Sequence, residues 1–128
     1  MSRHLIRLAF AVVAFAFAAA IPVACPSMAT PSTSRGLISV AQVMQMLEKA
    51  PTDRTAQQVL TAYLAGVGEA ASAVTSMGSA TCRTTLSLSA ANVRHALKTA
   101  ASAPDTAETP ATPLIVRDML IRAGCNGQ

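Results

Sequence analysis

Residues 55–76 read TAQQVLTAYLAGVGEAASAVTS, and this stretch decides the fold. Its apolar side chains recur at steps of three and four residues, which is the period of an α-helix with one buried face. The residues of that face are Leu60, Tyr63, Leu64, Val67, Ala71 and Val74. The stretch therefore predicts the longest helix of the chain.

The same helix carries a second row, made of small residues. Ala62, Gly66 and Ala70 follow one another at four-residue spacing. Gly66 and Gly68 each cost about 1 kcal/mol relative to alanine in a helix interior. Close approach of another helix would compensate this cost, so the row predicts a helix-packing ridge. The alternative is that the helix bends or breaks near Gly68.

Three further helices are predicted, one before this stretch and two after it. Ser39 caps the first, which ends at Pro51, and Ser89 caps the third. Thr112 and Pro113 predict the start of the fourth, as a capping hydroxyl followed by proline at the first helical position.

Gly124 stands where a left-handed residue ends the fourth helix. The predicted buried faces are Val40, Val43, Met44 and Leu47 in the first helix, Val93, Ala96, Leu97 and Ala100 in the third, and Val116, Met119, Leu120 and Ala123 in the fourth. No alternating β pattern is present, so the predicted fold class is all-α, a small bundle of four helices.

The N-terminal 29 residues have the pattern of an export signal. Arg3 and Arg7 form a basic N-terminal region, residues 5–20 are otherwise almost wholly apolar, and small residues follow Pro22. Cleavage after Ala29 is expected, and residues 18–20 (AAA) are an earlier candidate site. A lipoprotein site at Cys25 and a retained anchor are the alternatives. The expected organisation is a signal peptide over 1–29, a flexible leader over 30–37 and a helical domain over 38–126. The protein is then periplasmic, with no stable membrane span after cleavage.

Removal of residues 1–29 changes the composition. All three Phe residues leave, and Tyr63 is the only aromatic residue that remains. Eight basic and six acidic residues remain, which gives a net charge of +2, and the charges are spread singly. This pattern is typical of a solvated surface and gives no basic patch for nucleic acid.

Cys82 lies just before the third helix, and Cys125 lies just after the fourth. If these two helices pack antiparallel, both cysteines lie at the same end of the pair. An oxidising compartment then favours a disulfide, whereas a reactive or metal-binding thiol is the alternative. The sequence therefore predicts a Cys82–Cys125 disulfide.

Residues that could carry catalysis are few. His95 is the only histidine after residue 29, and Glu69 is the lone acid of the long helix, with no carboxylate three or four residues away. No Gly-rich phosphate loop and no paired metal-ligand motif is present. The sequence predicts a protein that is not an enzyme and that uses neither a cofactor nor a metal.

Three stretches together resemble the Rap/Tai family of type VI secretion immunity proteins. These stretches are 60–70 (LTAYLAGVGEA), Cys82 followed by 88–93 (LSAANV), and 111–125, which ends in Cys125. The similarity covers residues 38–125. The family's second Cys pair has no counterpart here, because residues 50–52 read APT and residues 57–59 read QQV. Its His-Pro after the third helix is also missing, since residues 101–104 read ASAP.

The resemblance implies a periplasmic, all-helical, disulfide-bearing immunity protein that binds a peptidoglycan amidase toxin and occludes its active site. Such an inhibitor needs a loop or helix end that fits the cleft of its target. The candidate surfaces are the loop over 77–85 and the connector over 102–110. Met77 and Arg83 in the loop, and Asp105 and Glu108 in the connector, are the candidate partner-binding residues.

Two other readings compete with the inhibitor. A small periplasmic helical chaperone or structural accessory protein would share the size, the helices and the disulfide, but it would have no toxin partner. An exported helical domain with an unrelated role is the third reading. A homodimer through the ridge of Ala62, Gly66 and Ala70 is a further prediction, which the resemblance supports.

Overall fold

The computed structural model describes residues 32–126, and these residues form four α-helices. The helices are α1 (Val40–Lys49), α2 (Arg54–Met77), α3 (Ala90–Ala101) and α4 (Ala111–Arg122). No strand is present in this part of the chain, which has only two isolated β-bridges. The predicted all-α bundle with one disulfide is confirmed. The expected signal peptide over 1–29 lies outside the described residues.

Side chains cap the first three helices at their N-termini. The Ser39 hydroxyl oxygen accepts the Gln42 amide at 3.1 Å, and the Ser89 hydroxyl oxygen accepts the Asn92 amide at 3.2 Å. The Asp53 carboxylate accepts the amides of Thr55 and Ala56, the second and third residues of α2. Each cap satisfies backbone donors that have no partner within the helix. The predicted caps of the first and third helices are therefore confirmed.

The predicted start of α4 is wrong by two residues. The helix begins at Ala111, after Pro110, and Pro110 supplies no side-chain cap. The Ala111 amide instead donates to the Ile38 carbonyl at 3.0 Å, so a tertiary contact provides the missing acceptor. Pro113 is tolerated at the third helical position because the first amides of a helix have no intrahelical partner. Thr112 is thereby free to bond elsewhere.

The helices surround one core in the order α1, α2, α4, α3. In this arrangement α1 packs against α2 and α3, and α4 packs against the same two helices. The largest fully buried side chains include Leu47, Leu97 and Ile115. Burial of each such side chain stabilises the fold by about 1.5–3 kcal/mol.

The buried face of α4 differs from the prediction. Ile115 is fully buried, together with Met119 and Ala123. Val116 and Leu120, which were predicted to be buried, are only partly covered. The core therefore meets a face of α4 that is rotated relative to the predicted one, and Val116 and Leu120 lie toward its outer side.

Residues 33–37, which belong to the expected flexible leader, form a hydrogen-bonded turn. The Thr33 hydroxyl accepts the Leu37 amide at 3.0 Å, and Thr33 is only 6% exposed. The Ser34 amide donates to Glu108 Oε2 at 3.0 Å, which fastens the turn to the α3–α4 connector. The connector in turn accepts the first amides of α1, since the Val40 amide donates to the Thr109 carbonyl at 2.9 Å.

None of the four helices combines the length and the hydropathy that crossing a bilayer requires.

Candidate functional site

A groove of about 670 Å³ lies between α2 and α4. Small and aliphatic side chains form most of its surface, and two threonines and one arginine supply the polar groups. Its lining residues are Ala70, Val74, Thr75, Ala80, Thr112, Pro113, Val116, Arg117, Leu120, Ile121 and Cys125. A concave surface of this size and composition is typical of a binding site.

A hydrogen bond between the two helices lies at one end of the groove. The Tyr63 and Thr112 hydroxyls are 3.0 Å apart, and either can be the donor. Burial raises the pKa of the Tyr63 phenol, whereas the hydrogen bond with Thr112 lowers it by a smaller amount. The phenol therefore stays neutral at physiological pH, and it joins the middle of α2 to the first turn of α4.

The disulfide fixes the other end of the groove. The sulfur atoms of Cys82 and Cys125 are 2.06 Å apart, so the predicted pairing is confirmed. Thr81 and Asn126 exchange two backbone hydrogen bonds, of 3.2 and 2.9 Å, directly beside it. The Arg83 amide donates to the Ala123 carbonyl at 2.9 Å. The loop after α2 is thus attached to the end of α4 by covalent and backbone bonds together.

Two large apolar side chains remain exposed at this end. Met77 is 81% exposed at the end of α2, and Ile121 is 67% exposed on the last turn of α4. An exposed apolar side chain beside an apolar groove enlarges the surface that a partner could cover. This region is the candidate functional site.

One cation lines the groove without an ion pair in the described chain. Arg117 is exposed and has no hydrogen-bond partner there. Its neighbour Arg122 differs, because it donates to Asp118 Oδ2 at 2.7 Å and to the Ser87 carbonyl at 3.1 Å. Arg122 therefore links α4 to the loop before α3, whereas Arg117 is available to an external group.

The four predicted partner-binding residues do not form one surface. Met77 and Arg83 lie at the disulfide end, where α4 finishes, and Asp105 and Glu108 lie in the connector that leads into α4. The twelve residues of α4 place these two groups about 18 Å apart along the helix axis. A single loop inserted into a cleft cannot contain both groups.

The Glu108 carboxylate already has a partner within the chain. The Ser34 amide, and to a lesser degree the Ser34 side chain, lowers the pKa of Glu108 by hydrogen bonding. Its role in the structure is to hold the turn over 33–37. Asp105 contributes its backbone carbonyl, which accepts the Thr109 hydroxyl at 3.0 Å, and its side chain is exposed.

The ridge of small residues on α2 faces outward within this chain. Ala62 and Gly66 are exposed, and Ala70 lines the groove. A Cβ atom built on Gly66 or Gly68 would meet nothing within 4 Å. The expectation that another helix of the chain packs closely along the ridge is therefore wrong for residues 32–126. The helix also continues through Gly68 to Met77 without a break.

The residues considered for catalysis are apart from the groove. His95 is exposed on α3, and Glu69 is exposed on α2, and neither lines the groove. Within the described range, no three His, Cys, Asp or Glu side chains come together in a way that could hold a metal ion.

Pro113, Arg117 and Ile121 line the groove, although none of them was predicted to belong to a binding site. A signal for them exists, because α4 carries aliphatic residues on several sides rather than on one: Leu114, Ile115, Val116, Leu120 and Ile121 are nearly consecutive. These aliphatic side chains point in several directions around the helix, so one helix face can bury only some of them in the core. The remainder has to line a surface.

No family model, no curated protein and no solved structure matches this chain. The resemblance to the Rap/Tai family stays a prediction.

Proposed function

We propose that this protein is a periplasmic immunity protein that binds a peptidoglycan amidase toxin delivered by type VI secretion and occludes its active site. The observation that supports a binding role is the exposed apolar surface at the disulfide end, where Ile121 lines the α2–α4 groove and Met77 is exposed at the end of α2. An exposed apolar patch of this kind is typical of an interaction surface.

The disulfide supports the proposed location and the proposed role together. A disulfide persists in oxidising compartments such as the periplasm. Because Cys82 and Cys125 attach the loop after α2 to the end of α4, the loop is ordered before any partner arrives. An ordered binding loop loses less conformational entropy on association and so binds more tightly.

Occlusion of an active site requires no chemistry from the inhibitor. It requires a few apolar anchors, which a rim of polar groups surrounds. Met77 can serve as such an anchor, and Arg83, the residue directly after Cys82, can donate hydrogen bonds at its rim. The proposed inhibitory surface is therefore the disulfide end of the molecule, and the connector with Asp105 and Glu108 lies outside it.

The test is the survival of cells that carry a periplasm-targeted peptidoglycan amidase from the same genome. We expect survival only when the full chain is expressed with the toxin, and we expect the two proteins to purify as a one-to-one complex. Met77→Asp should reduce protection, and Asp105→Asn at the other end of α4 should not.

A different result separates the competing functions. If no such amidase is neutralised or bound, the immunity proposal is wrong. Capture of many unfolded periplasmic proteins, with no stoichiometric partner among them, would support the chaperone reading instead.

A further inference from the structure

We propose that the α2–α4 groove is a docking site for an amphipathic α-helix of a partner protein, with an aliphatic stripe flanked by acidic residues. The inference rests on the proposed function only for the identity of that partner.

The walls of the groove favour a helical occupant. Both walls are α-helices, whose backbone donors and acceptors are bonded within each helix. The groove therefore offers aliphatic side chains and few free backbone groups. A bound segment has to satisfy its own amides and carbonyls, because unpaired buried ones are costly. A helix does so, whereas an extended strand would need a free sheet edge.

The length of the groove sets the number of anchors. Thr112 and Ile121 mark its extent along α4, and nine residue steps of helix span about 14 Å. A partner helix covers this distance in about two turns, so three side chains spaced at i, i+3 or i+4, and i+7 can enter. Val74, Val116 and Leu120 offer them an aliphatic surface.

The charge of the groove sets the charge of its occupant. Arg117 is the only charged residue among those that line the groove, and it has no ion pair within residues 32–126. An acidic side chain on the partner helix, beside the aliphatic stripe, would complement it. Complementary charge at the edge of an interface selects partners and orients them.

The first experiment maps binding directly. The protein, expressed from its full gene and purified, is titrated with two synthetic helical peptides of about 18 residues, or five turns. Both peptides carry the same Leu stripe, with flanking Glu in one and flanking Lys in the other. We expect the Glu peptide to shift the amide resonances of Ala70, Val74, Val116 and Ile121, and to bind more tightly than the Lys peptide.

Two variants with matched controls test the residues. Arg117→Glu should weaken binding of the Glu peptide about fivefold and reverse the preference between the peptides. Arg54→Glu, the same charge reversal outside the groove, should change neither. Ile121→Ser should weaken both peptides, whereas Val59→Ser, at an exposed aliphatic residue that does not line the groove, should not.

The inference would be wrong if the peptides shifted only resonances of other surfaces, or if the two peptides bound with equal affinity. Dodecanoate, a fatty acid, is titrated as a third ligand. Binding of dodecanoate at the groove without binding of either peptide would also overturn the inference. Protection from the toxin is scored separately. Protection without peptide binding at the groove leaves the proposed function standing and removes the groove as a docking site. Peptide binding at the groove without protection leaves the groove as a docking site and contradicts the proposed function.

Discussion

Gly124 and Gly66 show how one residue type can have opposite effects at two positions. Gly124 has φ +62°, in the left-handed region, and an added Cβ would lie 3.2 Å from Arg83 Cδ. Gly124→Ala should therefore lower the free energy of unfolding by about 1–2 kcal/mol. Gly66 lies in an exposed helical position with open space around it. Gly66→Ala should raise the same quantity by up to about 1 kcal/mol.

Urea unfolding of the two variants measures both effects. Since the substitution is identical, only the backbone conformation and the surroundings differ. A loss of stability in Gly66→Ala would mean that a partner surface, such as a second copy of the chain, packs on the ridge. That result would support the predicted homodimer.

The hydrogen bond between Tyr63 and Thr112 joins the two walls of the groove. Tyr63→Phe removes the phenol and leaves the Thr112 hydroxyl without this partner. We expect a loss of about 1 kcal/mol in the free energy of unfolding. Thr61→Val, at an exposed hydroxyl that bonds only within α2, is the control. If Tyr63→Phe had the same free energy of unfolding as the parent, the hydrogen bond would not contribute to stability, and water would serve the Thr112 hydroxyl equally well.

At the scale of elements, the turn over 33–37 depends on the charge of Glu108. Because the Ser34 amide donates to the carboxylate, the pKa of Glu108 in the folded protein is lower than its ordinary value. The contact is therefore complete above the ordinary glutamate pKa and is lost as the pH falls through the lowered one.

The Ser34 amide proton resonance reports this titration. We expect it to move at a pH below the ordinary glutamate range and to move little in Glu108→Gln. Glu48→Gln, at an exposed carboxylate on α1, should leave the titration unchanged. A transition at the ordinary glutamate pKa would show that the carboxylate does not hold the turn in solution.

Local chemistry predicts most elements of this fold, and contacts distant in sequence explain the errors. Ser39 and Ser89 cap their helices as their sequence neighbours indicate. The start of α4 was misplaced because the Ile38 carbonyl, more than seventy residues earlier, accepts the Ala111 amide. The turn at Thr33 was missed for a similar reason, since its anchor, Glu108, lies in the connector. Periodicity contains no information about such partners.

At the scale of the whole molecule, the disulfide compensates for a core that contains no Phe or Trp side chain within residues 32–126. It joins residues 43 positions apart. The double variant Cys82→Ser/Cys125→Ser should be less stable by about 4 kcal/mol in the chain-entropy model.

Urea unfolding of the oxidised protein, the reduced protein and the double variant measures the loss. The reduced protein should match the double variant, because both lack the same covalent link. If all three unfolded at the same urea concentration, the loop after α2 would have to be held fully by its backbone hydrogen bonds.

The candidate site was harder to predict than the fold. Met77 and Arg83 lie at the disulfide end but do not line the groove, and Asp105 and Glu108 lie at the other end of α4. The groove arises where α2 and α4 pack side by side, and its lining combines residues up to about fifty positions apart. A sequence pattern read along one helix identifies apolar residues, but it does not show which neighbour leaves them uncovered.

The disulfide also divides the chain mechanically. Residues 82–125, with both α3 and α4, form a closed covalent ring, and α1 and α2 lie outside it. Force applied to the two ends of the described chain can extend only the segment before Cys82, which is about 50 residues or roughly 170 Å when fully stretched. The disulfide bond passes the load directly from Cys82 to Cys125. Pulling on the molecule would therefore strip α1 and α2 away while the chain of α3 and α4 carries no tension.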